Sequence, residues 1–191
     1  MSFWARLIRC PPARRGLAML LVMVVVAVAA PLVAPMDPWK VQPAARLLPP
    51  LSRSAVDSAT TLHLLGTDSV GRDVLSRLIY GSRVSLTVGF AAMVLSALFG
   101  SLIGVVSGYF GGIVESLTGW LVDVQLSFPF LLLAIFLLGA LGGGTLAVIL
   151  ILALATWVNY ARIVRAQVLS IKNQGYVEAA HATGASVLGR I

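Results

Sequence analysis

The side chains able to do chemistry in this sequence are few: seven Asp and Glu, fourteen Lys and Arg, two histidines and one cysteine among 191 residues. Their spacing argues against catalysis. His63 and His181 each stand without a second histidine or an HExxH run, so neither has the company that a metal site needs. Both read as solvated or interface residues. Cys10 is alone, which excludes an internal disulfide and any cysteine-based zinc or iron–sulfur site, and it reads as an incidental thiol. The GGGT run at 142–145 lacks the lysine and the spacing of a phosphate-binding loop, and there is no GxSxG elbow. No catalytic residue, metal, cofactor or nucleotide site is expected in this chain. One acid stands out, Asp123, because the residues around it are almost all apolar.

The elements that carry these residues are dictated by composition. Hydrophobic side chains make up 59% of the sequence and charged ones 11%, against about 45–50% and about 25% in soluble domains. Mean hydropathy is +0.95, and the apolar residues fall in long blocks. The bilayer is therefore the expected solvent and membrane lipid an expected partner. The net charge of +7 does not point to nucleic acid, because Lys and Arg lie between the apolar blocks without a dense basic run or interleaved aromatics. They act as topology signals.

Residues 17–33 carry no charge and follow Arg6, Arg9, Arg14 and Arg15. This fits a cytoplasmic N-terminus over 1–16 and a first transmembrane helix over 17–35. A cleaved signal peptide is the alternative: Ala27, Ala29 and Ala30 are small, although Pro31 follows at once and more apolar blocks come later. Residues 36–64 are rich in Pro, Ser and Asp and contain no apolar run, so 36–83 is read as an extracytoplasmic loop. Within it, LGTDSVGRDVLSRLIYGSR at 65–83 predicts a short amphipathic helix at the membrane surface. Thr67 or Asp68 would cap it, Leu75, Leu78 and Ile79 would form its apolar face, and Gly81 would stop it. Asp68 with Arg72, and Asp73 with Arg77, are four apart and can meet on such a helix.

Residues 84–106 form the clearest span, uncharged throughout, with Gly100, Gly104 and Gly108 four apart toward its end. A glycine column of this kind allows close approach of another helix. GYFGGIVES reads as a turn. The third span covers about 117–138, with Asp123 near its first end and Pro129 inside it. An acid so near the interface can reach water, so Asp123 reads as a structural anchor ahead of a substrate contact, and Pro129 predicts a kink or a locally unwound turn. GALGGGT, 139–145, is the next turn. A fourth span starts at 146 and runs to about 161, interrupted late by Asn159 and followed by Arg162 and Arg165. The fold class is thus an all-α integral membrane protein with about four transmembrane helices. On that model the cytoplasmic pieces hold Arg6, Arg9, Arg14, Arg15, Arg162, Arg165, Lys172 and Arg190, against Lys40, Arg46, Arg53, Arg72, Arg77 and Arg83 outside, a modest bias for this orientation.

Two segments resemble a known family. HLLGTDSVGRDVLSRLIYGSRVSL, 63–86, looks like the stretch that the permease subunits of dipeptide, oligopeptide and nickel ABC importers place before their second membrane helix. YARIVRAQVLSIKNQGYVEAAHATGAS, 160–186, resembles the cytoplasmic EAA loop of ABC importer permeases, with Glu178, Ala179, Ala180 and Gly184 at the motif's positions.

The resemblance implies a bacterial inner-membrane permease, N-terminus cytoplasmic, with an incomplete permease domain over 84–191. It would hold four of the family's six membrane helices, since the family's loop continues to a His, a Leu-Pro pair and two further helices beyond the point where Ile191 ends this sequence. A chain so truncated is expected not to support uptake alone. The resemblance also implies a coupling helix around Glu178, seated in a groove of the ATPase: two small alanines allow close approach, the carboxylate meets a partner's donor, and Gly184 permits a turn. The implied partners are a second homologous permease, two ATP-binding subunits that perform the hydrolysis, and an extracytoplasmic substrate-binding protein. Peptide as the cargo rests on the family alone. The alternative is a non-transporting scaffold or small channel packed through Gly100, Gly104 and Gly108, which leaves the EAA loop without a purpose.

Overall fold

A computed structural model describes residues 10–56, 59–175 and 177. Among these, large apolar side chains face outward and small or polar ones lie inside. Leu32 is 90% exposed and Ile113 87%, while six of the ten buried hydrophobic residues are alanines (Ala27, Ala30, Ala45, Ala92, Ala147 and Ala161). Such an inversion suits helices whose outer faces meet lipid and whose contacts are made by small residues.

Helix α1 spans Pro11–Val28 and opens with proline in its first turn, where no donor is lost. A four-residue turn of helix, α2, follows over Ala30–Val33. The segment after it carries a short 3-10 turn at Pro43–Ala45 and a two-stranded antiparallel hairpin, β1 (Ser52–Val56) with β2 (Ala59–His63), in which Ser52 pairs with His63. Helix α3 runs over Val74–Phe110, α4 over Gly112–Ser127, α5 over Phe130–Ala140 and α6 over Thr145–Lys172. Helices α1, α3 and α6 are long and apolar enough to cross a membrane; α4 and α5 pass the same test only together, as a pair bent by 92°.

The helical membrane fold holds, with local corrections. The surface helix expected over 67–81 is the start of the 37-residue α3, and Gly81 does not stop it. Glycine keeps its backbone donor and costs a helix only about 1 kcal/mol relative to alanine; the apolar run after it carries the helix onward. The cap is neither Thr67 nor Asp68 but Asp73, whose Oδ2 accepts from the Ser76 backbone N–H at 2.8 Å. Asn159 does not interrupt α6, which continues past Arg162 and Arg165. The loop after the first helix contains the hairpin, which alternates too weakly for a periodicity reading to find.

The chain divides into two compact units at Thr87–Val88, with α3 running through the boundary. In the first unit, the segment between α2 and α3 is knitted by polar bonds. Thr67 Oγ1 donates to the Ala45 carbonyl (2.5 Å) and accepts from Leu48 N (2.9 Å), Arg46 Nε donates to Ser69 O (2.6 Å), and Met36 N donates to Ser76 Oγ (3.1 Å). Asp68 takes both Arg72 (2.9 Å) and Arg77 (2.5 Å), so the expected Asp73–Arg77 ion pair is replaced by a pairing of Arg77 with Asp68.

In the second unit, α3 and α6 lie side by side and parallel. Ser96 meets Ala153 and Thr156, Gly100 meets Trp157 and Tyr160, Gly104 meets Ala161 and Val164, and Gly108 meets Arg165 and Val168. Steps of four on one helix match steps of four on the other, which is ridge packing of i, i+4 rows. Gly142, Gly143 and Gly144 (φ +77°, +78° and +90°) make the turn into α6, a run of left-handed conformations that side chains resist.

Candidate functional site

The residues singled out for coupling, Glu178, Ala179, Ala180 and Gly184, lie outside the described residues, as does His181. What the structure describes is the helix that leads to them and how it is held.

Helix α6 is seated on α3 by the glycine column. A Cβ at Gly104 would lie 2.6 Å from the Ala161 carbonyl oxygen, and one at Gly108 would lie 3.0 Å from Val168 Cβ. At Gly100 the added carbon would collide with the Trp157 carbonyl and lie 2.7 Å from Tyr160 Cβ. Above the column, the buried Ser96 Oγ shares a hydrogen bond with Thr156 Oγ1 (2.6 Å). Below it, Arg165 crosses to α4 and pairs with Glu115, both half-buried. Lys172, the last residue of α6, donates to the Tyr109 carbonyl near the end of α3 (2.9 Å) and stands over the Tyr109 ring. Neither cross-helix contact was visible in the sequence, where Glu115 and Arg165 are 50 residues apart.

Between α3, α4 and α6 an apolar groove of about 590 Å³ opens, lined among others by Phe99, Phe128 and Trp157. Its polar element is Gln125, whose amide donates to the Leu154 carbonyl and accepts from the Trp157 indole N–H, both at 2.7 Å. This bond sits beside the break between α4 and α5. There Pro129 has no donor, and the Phe128 N–H falls back on Gln125 O at 3.4 Å. Asp123 is exposed on α4.

His63 is not solvated: it is fully buried. Its Nδ1 meets Asp73 Oδ1 (3.0 Å) and its Nε2 meets Ser54 Oγ (2.8 Å), while Asp73 Oδ2 accepts from Ser76 Oγ (2.8 Å). The order Ser, His, Asp has the outline of a hydrolytic relay, but a histidine with no exposed surface leaves no room for a substrate at its edge. The chain of bonds instead ties the hairpin to the cap of α3, and burial without partners would be costly for each member. Nearby, burial pushes the Asp68 carboxyl up, but the backbone N–H groups of Arg72 and Val70 and the Arg72 side chain outweigh it and hold the group well below the usual carboxylate range.

Apolar helices seated on one another through glycines define a class, the multi-pass helical membrane proteins. Two family models match: the inner membrane component of binding-protein-dependent transport systems, over residues 100–191, and the N-terminal TM domain of oligopeptide transport permease C, over residues 1–50. The dipeptide transport system permease protein DppC of Haemophilus influenzae is 36% identical over 187 residues, covering 98% of this chain and 62% of the relative. The di/tripeptide transport system permease protein DppC of Pseudomonas aeruginosa is 37% identical over 187 residues, covering 98% and 61%. The dipeptide transport system permease protein DppC of Bacillus subtilis is 38% identical over 182 residues, covering 95% and 54%. The chain belongs to the family of inner-membrane permease components of binding-protein-dependent transport systems and is a multi-pass protein of the bacterial inner membrane. It spans less than two thirds of the length of these relatives.

Proposed function

We propose that this chain is the membrane-spanning permease subunit of an ABC importer for di- or oligopeptides. It forms the translocation pathway with a second homologous permease, takes cargo from an extracytoplasmic binding protein, and couples to two ATP-binding subunits through the loop holding Glu178, Ala179, Ala180 and Gly184. The N-terminus is cytoplasmic, and the chain itself breaks no bond. Gly100, Gly104 and Gly108 serve to seat α6, the helix that delivers the loop.

The observation that carries this reading is the match to peptide-transport permeases along 98% of the chain. The course of α6 supports it, since the helix runs unbroken through the first part of the 160–186 segment to Lys172 and leads toward Glu178. The glycine column, which the scaffold alternative would need for partners, faces α6 of the same chain.

Capture of an ATP-binding subunit of a peptide importer by the purified chain tests the coupling role. Wild type is expected to bind and Gly184→Trp to lose binding; equal binding by the variant would remove the loop from the mechanism. Peptide uptake driven by ATP in vesicles holding both permeases tests the cargo, and uptake of nickel but not peptide would overturn it.

A further inference from the structure

We infer that Glu115 and Arg165 are a positioning pair for the coupling loop, fixing the foot of α6 against two helices at once; this rests on the coupling role proposed above. Arg165 lies in the close seam of α3 and α6, at the lower end of the glycine column. Its backbone N is among the nearest atoms to a Cβ at Gly104 (3.1 Å), and its backbone O is near one at Gly108 (3.2 Å). From that point its side chain reaches Glu115 in the first turn of α4, where a carboxylate also meets the positive end of the helix dipole. The α3–α4 corner between them turns through Gly111 and Gly112 at φ +65° and +53°. One ion pair therefore ties α6, two turns before its end, to the start of α4 just past the α3–α4 corner.

The pair has features of a positioning device. An arginine in a helix seam needs a partner, because an unpaired charge among apolar side chains is costly. Arg165 Nε is buried without a hydrogen bond, so Glu115 is its anchor among the described residues. Two turns on, Lys172 binds the Tyr109 carbonyl. The last two turns of α6 are thus held from α4 and from the end of α3, and the next residues lead into the loop. The glycine column and the Ser96–Thr156 bond seat α6 on α3; the charge pair adds a fixed point on a third helix, α4.

The test uses binding of the same ATP-binding subunit to the full chain in nanodiscs, at a temperature well below unfolding, for wild type, Glu115→Ala and the swap Glu115→Arg with Arg165→Glu. The swap conserves net charge on that side of the bilayer. Expected is at least a tenfold weaker capture by Glu115→Ala, with the swap restoring affinity to within about threefold of wild type. Thermal unfolding of each variant, followed by circular dichroism, separates positioning from simple stability. Equal capture by Glu115→Ala, or no recovery in a swap that unfolds at the wild-type temperature, overturns the inference. Absence of binding by wild type itself overturns the coupling role and this inference with it.

Discussion

One methyl group added at Gly104 measures how closely α3 and α6 are seated. The new carbon would lie 2.6 Å from the Ala161 carbonyl oxygen and 2.9 Å from Val164 Cβ, whereas carbon contacts settle at about 3.5–4.0 Å. The helices would have to part by roughly 1 Å. Overpacking of this kind costs about 1–3 kcal/mol, and alanine returns about 0.5–1 kcal/mol of helix propensity. Gly104→Ala should therefore destabilise the protein by up to roughly 2.5 kcal/mol. Gly89, on the same helix, has open space around it, so Gly89→Ala keeps only the favourable propensity effect and should stabilise by up to about 1 kcal/mol. At Gly108 the nearest atoms belong to the Val168 side chain at 3.0 Å, and Gly108→Ala should fall between the two. Titration from dodecylmaltoside into SDS, followed by far-UV circular dichroism, ranks the three. A Gly104→Ala protein as resistant to SDS as Gly89→Ala would refute the close seating of α6.

Three further outcomes follow from the geometry. His63→Ala leaves Asp73 Oδ1 and Ser54 Oγ without their buried partner, at about 1–3 kcal/mol each, and should speed tryptic cleavage at Arg46 and Arg53; an unchanged cleavage rate would count against the bond chain. Ser96→Ala removes the hydroxyl shared with Thr156, and since interhelical bonds in membranes average about 0.6 kcal/mol, the SDS midpoint should move much less than for Gly104→Ala. The Asp68 carboxyl is held below its ordinary value, so its stabilisation is present above about pH 3.9 and is lost as pH falls through the lower native value. Asp68→Asn should thus unfold more readily than wild type at pH 7, with the gap closing in acid, as read by Trp fluorescence melts; a gap that widens in acid would contradict the sign.

The membrane class was legible because lipid solvation writes itself into composition: blocks such as 84–106 need no partner to be recognised. Pro129 also announced its break, since a missing donor acts locally, although the sequence did not convey a bend of 92°. Punctuation by glycine was less reliable. Gly81 looked like a stop, yet the cost of one glycine is small beside the continuous apolar run that follows. The pairings of polar groups were read least well. Asp68, Asp73, Arg72 and Arg77 offered two equally spaced pairs, but burial of His63 captured Asp73 and left Arg77 to Asp68. Contacts such as Glu115 with Arg165 depend on which helices become neighbours, and no local pattern carries that information.

The elbow at Phe128–Pro129 has a consequence for how the chain fits its bilayer. Because α3 and α6 run parallel, the chain must return to its starting side between them, and α4 with α5 is what makes the return. At 1.5 Å per residue these limbs measure about 24 and 17 Å, so neither alone crosses a hydrocarbon layer of about 30 Å. Bent by 92° and tilted equally, they reach about 28 Å together, close to that thickness; straightened, they would reach about 40 Å. The bend thus matches a return path of about 40 Å of helix to a layer of about 30 Å, without the strong tilt that a straight helix of that length would need.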